Sequence, residues 1–321
     1  MSFLVWIIDE EWSDYKDEIE ILQKELPNCE LRFSTYTYEK DLTSFGRHAD
    51  LIFAQIYAKI PASVIAQLEH CKGIAVYGGG YDRVDIKAAR AKNIGVTNVR
   101  GYCLEDIEDY VMAAIYRSNK QLDTYAEAIH QGKWGAQAVR EPIHRVSSST
   151  LFIAGCGTIG SGVAKKARAL GMQVLIYDPY VKTDKITSLG ACKVTLEEGF
   201  AAADFVSIHI KCDETTENLI TKKHFDLMKP TAYLINTSRG KILNEQELIK
   251  AVSSKKMAGA ILDVIVQEPP QGNENIFAQK NILITPHISY ISIESYKELK
   301  RRTVENALKM LKGERPADLV N

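Results

Sequence analysis

The sequence has no apolar segment that approaches the roughly 20 residues needed to cross a bilayer. Its first apolar run covers only residues 3–8 and is followed by Asp9, Glu10 and Glu11. A secretory signal peptide begins with a basic region and has a longer apolar stretch, and neither is present. We therefore expect a cytoplasmic protein without membrane association, in which residues 3–8 form a first buried strand.

The chain also lacks any cysteine pair with the C-x-x-C spacing of metal or redox sites. The cysteines are scattered, at Cys29, Cys71, Cys103, Cys156, Cys192 and Cys212. A chain of 321 residues is long enough to build hydrophobic cores without disulfides. We expect reduced thiols, and no metal site, because no Cys/His cluster shows the short spacings typical of metal ligands.

Neither sign of charge predominates. The sequence has 40 basic and 41 acidic residues, a formal net charge of -1, so it lacks the basic field that attracts nucleic acid or an anionic membrane. It contains no internal repeat and no low-complexity tract. Its content of 45% apolar and 25% charged residues is typical of soluble globular proteins, and its length predicts two domains.

Apolar, β-branched runs alternate with helical patterns along the whole chain. The runs are FLVWII from Phe3, LIFAQI from Leu51, IAVYG from Ile74, GVTNV from Gly95, TLFIAG from Thr150, QVLIYD from Gln173, DFVSIHI from Asp204, AYLINT from Ala232, GAILDV from Gly259 and NILITP from Asn281. This alternation predicts βαβ units, and therefore an α/β fold with parallel sheets.

One helical pattern is unusually long. Apolar residues recur with a period near 3.6 over residues 104–132, which predicts one long helix ending at Gly132. The acidic residues at its start are interpreted as helix-end residues, because the helix dipole favours negative charge there. Residues 137–149 are polar and break the periodicity, so we expect a loop.

A glycine motif lies between two of the predicted strands. The sequence GCGTIG places glycines at Gly155, Gly157 and Gly160, after a strand and at the start of a helix. Gly155 allows the tight turn, Gly157 lacks the Cβ that would block a pyrophosphate, and Gly160 lets helix and strand pack closely. In this βαβ context the motif predicts a dinucleotide site.

The same unit indicates which dinucleotide is bound. The helix opens at Thr158 and Ile159, where unpaired N–H groups can hold the phosphates. Asp178 ends the second strand about 20 residues after the glycines, the spacing of a residue that binds the adenosine ribose hydroxyls. Its charge would repel a 2′-phosphate, and no arginine follows in DPYVK, so NAD is favoured over NADP.

Three later segments place polar residues after predicted strands. INTSRG contains Arg239, LDVIVQEPP contains Glu268 and ITPHISY contains His287. The carboxyl ends of parallel strands share one edge of a sheet, so the three side chains could converge beside the nicotinamide. Arginine can hold a carboxylate with two hydrogen bonds, histidine can exchange a proton near neutral pH, and glutamate beside it favours the imidazolium. Taken singly, each residue is more often structural.

These segments resemble the D-isomer-specific 2-hydroxyacid dehydrogenases over nearly the whole chain. GCGTIG and YDP match the family's cofactor motif, and NTSRG, the LDV…EP segment and TPH match its arginine, glutamate and histidine motifs. The resemblance implies catalysis by Arg239, Glu268 and His287. It also implies hydride transfer between NADH and a small 2-oxo acid.

The resemblance further implies a two-domain architecture. A Rossmann NAD-binding domain of residues 99–288 is inserted into a flavodoxin-like substrate domain of residues 1–98 and 289–321, and the protein is a homodimer built largely on the inserted domain. VYGGGYDRVD, from Val76, resembles the family's substrate loop, so Tyr77, Gly78 and Gly79 are expected to line the pocket. Asp263 falls at the position that binds the nicotinamide carboxamide.

Some positions depart from the family pattern. Lys211, Cys212 and Asp213 replace the usual proline, apolar and threonine residues of a loop that borders the nicotinamide side of the cofactor. Tyr290 stands where many relatives have a small residue and is expected to narrow the substrate pocket, unless it is a core tyrosine. Lactate, glyoxylate, hydroxypyruvate and bulkier 2-oxo acids all remain candidate substrates or products.

Two other functions stay open. The AAIYR, YDPY and LVN segments look similar to the branch containing the C-terminal-binding proteins, which are NAD(H)-sensing transcriptional corepressors. A phosphite-type dehydrogenase would use a similar arginine, glutamate and histidine. The sequence favours a 2-hydroxyacid dehydrogenase over both.

Overall fold

The computed structural model describes residues 2–139 and 143–321. Its contacts divide the chain into two compact units. Unit 1 consists of Met1–Tyr102 and Ser292–Asn321, and unit 2 consists of Cys103–Ile291. The chain therefore leaves one unit, builds the other and returns. The resemblance implies boundaries after residues 98 and 288, and the contacts divide the chain after residues 102 and 291.

Unit 1 is an α/β unit with a parallel sheet in the order β2-β1-β3-β4-β5. The strands are β1 Leu4–Ile8, β2 Glu30–Ser34, β3 Leu51–Gln55, β4 Gly73–Tyr77 and β5 Gly95–Thr97. Its helices are α1 Lys16–Glu25, α2 Glu39–Ser44, α3 Ala62–Ile65, α4 Ile86–Ala91 and α12 Ile293–Leu311. The strand order is the flavodoxin-like one, which confirms the expected fold of this unit.

The central strands of unit 1 are buried along their whole length. Every residue of β3 and β4 is buried, because helices cover both faces of a parallel sheet. Residues 319–321 pair with β5, the strand at one edge of this sheet. Thr97 pairs antiparallel with Leu319, the N–H of Val320 donates to Val96 O at 2.9 Å, and the side chain of Asn321 accepts from Val96 N at 2.8 Å.

Unit 2 is a second parallel α/β unit, with the strand order β12-β11-β10-β9-β6-β7-β8. The strands are β6 Thr150–Ala154, β7 Gln173–Tyr177, β8 Cys192–Lys193, β9 Phe205–Ile208, β10 Tyr233–Asn236, β11 Gly259–Leu262 and β12 Ile282–Ile284. The helices are α5 Leu104–Asn119, α6 Leu122–His130, α7 Thr158–Ala169, α8 Thr183–Thr187, α9 Leu196–Ala202, α10 Lys222–Phe225 and α11 Glu245–Ser253. This is the doubly wound Rossmann arrangement that the alternating pattern predicts.

The prediction of one long helix over residues 104–132 is wrong. The helix is interrupted after Asn119, where Gln121 has a left-handed backbone with φ of 50°, and it restarts at Leu122. The apolar period continues across the interruption because α6 also carries apolar residues, but Leu122 and Ile129 are exposed instead of buried. Gly132, with φ of 71°, follows the end of α6 as expected.

The segment predicted as a loop, residues 137–149, holds only short 3-10 turns in its described part. Ala138 ends the turn Gly135–Ala138, and a second turn covers Val146–Ser148. Residues 140–142 of this prediction lie outside the described residues. No helix in the described chain has the length and apolar character required to cross a membrane.

Candidate active site

The sheet of unit 2 has its topological switch point between β6 and β9. These strands are neighbours, but the chain runs from β6 to β7 on one side and reaches β9 on the other. Connections that diverge in this way leave a crevice outside the carboxyl ends of the two strands, where nucleotides bind in such folds. The glycine motif follows β6 directly, so the fold places it at this crevice.

The three glycines are required for different reasons. Gly155 has φ of 104°, and a Cβ there would lie 2.5 Å from the carbonyl oxygen of His209. A Cβ on Gly160 would lie 2.1 Å from Gly155 O, so both positions exclude larger residues by packing. Gly157 differs, because a Cβ there would meet no protein atom within 4 Å. The space beside Gly157 is therefore open to a ligand, as the pyrophosphate of a dinucleotide requires.

Helix α7 begins at this open space. Gly157 is its N-cap, and Thr158 and Ile159 are its first two residues. Thr158 is exposed and Ile159 is half-buried, so their N–H groups are at an accessible helix end. A helix of 12 residues presents a partial positive charge there, which favours phosphate.

Asp178 lies directly after β7, with its carboxylate held by main-chain donors. Cys156 N donates to Oδ2 at 2.8 Å, and Tyr180 N and Val181 N donate to Oδ1 at 2.9 and 3.0 Å. A carboxylate offers about four acceptor sites, so room remains for a ribose hydroxyl. The bond from Cys156 ties Asp178 to the glycine loop, and the two parts of the predicted site are thus adjacent.

His209 lies at the same crevice and was not singled out from the sequence. It follows β9, and its Nε2 lies 2.8 Å from Ser207 Oγ. Burial lowers the pKa of the His209 imidazole to about 4, so the ring is neutral near pH 7. A sequence signal exists, because His209 stands one residue past a strand that borders the switch point.

The unusual loop after His209 is closed by its own side chains. Thr215 N and Oγ1 donate to Asp213 Oδ1 at 3.0 and 2.7 Å, and Thr216 Oγ1 donates to Lys211 O at 2.7 Å. The Thr215 hydroxyl holds the pKa of Asp213 below its ordinary value. Asp213 therefore replaces the usual threonine with a residue that organises the turn.

Arg239 follows β10 at the same edge of the sheet. The side chain of the buried Asn236 fixes its backbone, with Nδ2 donating to Arg239 O at 2.9 Å and Oδ1 accepting from Ser238 N at 3.0 Å. Arg239 Nη1 donates to Ser238 O at 2.8 Å, and the side chain is half-buried. The guanidinium therefore stands on a rigid turn.

Glu268 and His287 form a close side-chain pair in unit 2. Nδ1 of His287 lies 3.1 Å from Glu268 Oε2, and the two side chains are 14% and 13% exposed. Ile265 N donates to Glu268 Oε1 at 3.0 Å, which directs Oε2 toward the imidazole. With a carboxylate as its partner, Nδ1 carries the proton of this hydrogen bond.

The backbone at His287 is strained, with φ of 56° in the left-handed region. Asp263, which is 1% exposed, holds this turn: Thr285 Oγ1, Ile288 N and Ser289 N donate to its carboxylate at 2.6, 2.9 and 2.8 Å. These bonds leave about one acceptor site for the expected nicotinamide carboxamide. Asp263 thus has a supporting role that the sequence did not indicate.

A second residue whose role the sequence did not indicate supports the same turn. Tyr110 Oη, on α5, lies 2.6 Å from Thr285 Oγ1. Because the Thr285 hydroxyl donates to Asp263, it accepts from Tyr110. Tyr290 lies three residues after His287 along the chain, and its side chain is half-buried.

In unit 1 the expected substrate loop follows β4. The Tyr77 side chain is only 1% exposed and packs against Trp12 and Phe53, with ring centroids 4.7 and 6.0 Å away. The Tyr77 side chain therefore belongs to the core of unit 1, and the predicted role of Tyr77 at a substrate pocket is left to its main chain. Gly78 is buried with φ of 146°, and Gly79 is exposed.

One group of possible metal ligands occurs in the described residues, at His48, Glu69 and His70, whose ligand atoms lie within 4.8 Å of one another. The sequence did not indicate it, because His48 is distant along the chain. Arg47 Nε donates to His48 Nε2 at 3.0 Å and lies 3.6 Å from Glu69 Oε1. A guanidinium already supplies the positive charge here, so we assign no metal to this group.

Comparison with known proteins gives consistent matches. Residues 112–289 match the family described as D-isomer specific 2-hydroxyacid dehydrogenase, NAD binding domain. A glyoxylate reductase of Korarchaeum cryptofilum is 32% identical over 279 residues, covering 86% of this chain and 83% of that protein. A hydroxypyruvate reductase of Blautia hydrogenotrophica is 31% identical over 294 residues, covering 90% of each. A D-lactate dehydrogenase from Aquifex aeolicus, crystallised with NAD and lactic acid, is 25% identical with a TM-score of 0.83, covering 97% of this chain and 96% of that chain.

Proposed function

The chain belongs to the D-isomer specific 2-hydroxyacid dehydrogenase family, and on that premise we propose that Arg239, Glu268 and His287 are its catalytic residues. It is an NAD-dependent oxidoreductase that acts on 2-hydroxy acids and the corresponding 2-oxo acids. The observation that carries the proposal is the Glu268–His287 pair, at 3.1 Å, on the same sheet edge as Arg239.

We assign NAD to unit 2. The open space beside Gly157 and the N-terminus of α7 fit a pyrophosphate, and the remaining acceptor capacity of Asp178 fits the adenosine ribose. Asp263 fits a donor such as the nicotinamide carboxamide with its last acceptor site. When bound as NADH, the cofactor supplies the hydride.

His287 acts as the general acid in reduction. Glu268 holds Nδ1, so Nε2 delivers the proton to the carbonyl oxygen as it gains charge, and the Glu268 carboxylate stabilises the imidazolium before that transfer. Arg239 holds the substrate carboxylate and steadies the charge that develops on the carbonyl oxygen. In the oxidation direction, His287 takes the same proton back.

Unit 1 is proposed to recognise the substrate carboxylate through the main-chain N–H of Gly79, in the Gly78–Gly79 segment. The carbonyls of this segment are already occupied, since Val99 N donates to Gly78 O at 2.8 Å and Asn98 Nδ2 donates to Gly79 O at 2.7 Å. Gly78 N donates to Val76 O at 3.0 Å, so the N–H of Gly79 is the donor that this segment is proposed to offer to an anion. Tyr290 is proposed to limit the size of the substrate side chain.

The decisive experiment is an NADH oxidation screen with the purified protein. Glyoxylate, hydroxypyruvate, pyruvate and bulkier 2-oxo acids would be tested, because relatives carry the names glyoxylate reductase and hydroxypyruvate reductase. We expect turnover on at least one acid and its loss in His287→Asn. NADH binding without turnover on any acid would favour a sensor of the corepressor type, and NAD reduction by phosphite would favour the phosphite-type reaction.

We also propose a homodimer formed through an apolar surface of unit 2, defined by Leu122, Ile129, Trp134 and Val139. Leu122 and Ile129 lie on α6, Trp134 and Val139 flank the 3-10 turn Gly135–Ala138, and all four side chains are exposed, Trp134 to 79%. A contiguous apolar surface of this kind is usually covered by another chain in the assembled protein. We expect Ile129→Arg to give a monomer in light scattering, whereas Phe277→Arg, at another exposed apolar site of unit 2, should leave the dimer intact.

We further propose that the protein is cytoplasmic. None of the cysteines in the described chain forms a disulfide, and Cys71, Cys103 and Cys156 are buried. Cysteines without disulfides are typical of cytosolic proteins. Fluorescence microscopy of a tagged protein would check the location.

A further inference from the structure

A charged pair lies inside the core of unit 1. Lys300 of α12 is 2% exposed, Glu18 of α1 is 0% exposed, and Nζ lies 3.4 Å from Glu18 Oε2. Lysine and glutamate are almost never buried to this degree unless they are paired, because removing each charge from water is unfavourable. Two apolar side chains would serve the packing of α1 on α12 at least as well, so the pair calls for another explanation.

The ammonium group is held from several sides. Lys300 Nζ donates to Asp14 O and stands over the rings of Trp12, Tyr15 and Tyr296, at 5.4, 5.7 and 4.7 Å from the ring centroids. Each ring attracts a cation through its π face. Lys300 therefore has one fixed position, and it fixes Glu18 in turn.

Glu18 connects this pair to Tyr77. Burial raises the pKa of Tyr77 well above its ordinary value, and the nearby Glu18 carboxylate raises it further. Within the described residues, the Tyr77 hydroxyl and both Glu18 oxygens are buried without a hydrogen bond of good geometry. Trp12 also contacts both Lys300 and Tyr77, with its ring centroid 4.7 Å from that of Tyr77. The pair and the tyrosine thus form one continuous cluster.

Tyr77 is the last residue of β4, and Gly78 and Gly79 follow it. Gly78 has little freedom, because its N–H donates to Val76 O at 3.0 Å and its carbonyl accepts from Val99 N at 2.8 Å. The direction of the Gly78–Gly79 segment is therefore set by the position of Tyr77. A shift of the Tyr77 ring would therefore turn the N–H of Gly79.

We propose that Glu18 and Lys300 are positioning residues that act through Tyr77 to hold the Gly78–Gly79 main chain in the orientation that binds the substrate carboxylate. This inference rests on the proposed function. It explains why a charged pair, rather than an apolar one, occupies the core next to this loop: charge attraction fixes distances and directions that apolar packing leaves adjustable.

The test compares the parent protein with the double variant Glu18→Gln/Lys300→Met, which keeps the side-chain volumes and removes both charges. We expect its Tm to be maintained or raised. We expect KM for the 2-oxo acid to rise at least about tenfold, because a charge-assisted bond to the carboxylate is misdirected, while kcat changes by less than about threefold.

The matched control is Glu25→Gln/Lys312→Met. This pair joins the last residue of α1 to the residue that follows α12, at 3.0 Å, but it is exposed at the surface. Its removal should leave KM unchanged. A folded Glu18→Gln/Lys300→Met protein with the parent KM would overturn the inference and leave the proposed function intact.

Hydrogen–deuterium exchange supplies a readout that does not depend on turnover. We expect faster exchange in the peptide containing residues 77–80 of Glu18→Gln/Lys300→Met, and no change there in the control. If the parent reduces no 2-oxo acid, the proposed function fails, and this exchange result alone decides whether the pair positions the loop. Unchanged exchange would overturn the inference.

Discussion

Replacement of His287 and Glu268, singly and together, tests whether the two residues act as a unit. His287→Asn removes the imidazole and suits the turn, because asparagine tolerates the left-handed backbone that His287 adopts at φ of 56°. We expect kcat to fall by roughly 10²–10⁴-fold, the range for losing a positioned general acid, with NADH affinity and Tm retained. His287→Val, which strains the same turn, should lower Tm as well.

Glu268→Gln should act only through the histidine. The pair is 13–14% exposed, and Glu268 Oε1 stays bound to Ile265 N, so an amide can occupy the same place without the charge. Loss of one charge-assisted hydrogen bond corresponds to roughly 1.5–3 kcal/mol, or about 10- to 150-fold in kcat/KM. The double variant should be no slower than His287→Asn alone. If the two losses multiplied, Glu268 would contribute independently of His287, and the reasoning from the 3.1 Å contact would be refuted.

Three further predictions concern the cofactor and the substrate. We expect the parent to prefer NADH over NADPH by at least about tenfold in kcat/KM, and Asp178→Ser should reduce this preference. Equal use of both cofactors by the parent would contradict the role of Asp178. Arg239→Lys should lower kcat/KM at least about tenfold with NADH binding unchanged, because an ammonium cannot make two parallel bonds to a carboxylate, and parent-like kinetics would place the anchor elsewhere. Gly157→Ala should weaken NADH binding in calorimetry with Tm unchanged, since its Cβ meets no protein atom within 4 Å, whereas Gly160→Ala should lower Tm because its Cβ would lie 2.1 Å from Gly155 O.

The fold could be predicted where the sequence pattern and the burial agree. The strands of both sheet centres were found from apolar runs, because a parallel strand is covered on both faces. The two missed strands are edge strands: β2 Glu30–Ser34 has mostly exposed or half-buried side chains, and both residues of β8 Cys192–Lys193 are exposed. Their pairing depends on backbone hydrogen bonds, which leave no trace in the order of apolar residues.

The interruption at Gln121 could not be predicted for a related reason. No glycine or proline marks it, and the apolar period runs on through Leu122 and Ile129. Those residues are exposed on α6, so the pattern that suggested burial against the core describes a different surface.

The candidate site also has parts that could be predicted from the sequence and parts that could not. The glycine loop with Asp178 is a local motif, and each part has a role that can be assigned from spacing. The support of the His287 turn by Asp263 and Tyr110 joins distant segments, and so does the burial of Tyr77 against Trp12. Such contacts exist only after the chain has folded, so a reading along the sequence cannot reveal them.

The division of unit 1 between two stretches of chain has a consequence for how the protein is made. Ribosomes deliver about 5–20 residues per second, and domains fold as units once their residues are available. Residues 103–291 are complete before α12 emerges, so unit 2 can fold while β1–β5 still await the helix that packs on β4 and the segment that pairs with β5. Until then Glu18 has no Lys300 beside it, and the apolar strands of unit 1 lack part of their cover. Residues 1–102 therefore lack their last helix and their last pairing segment until residues 292–321 have been made.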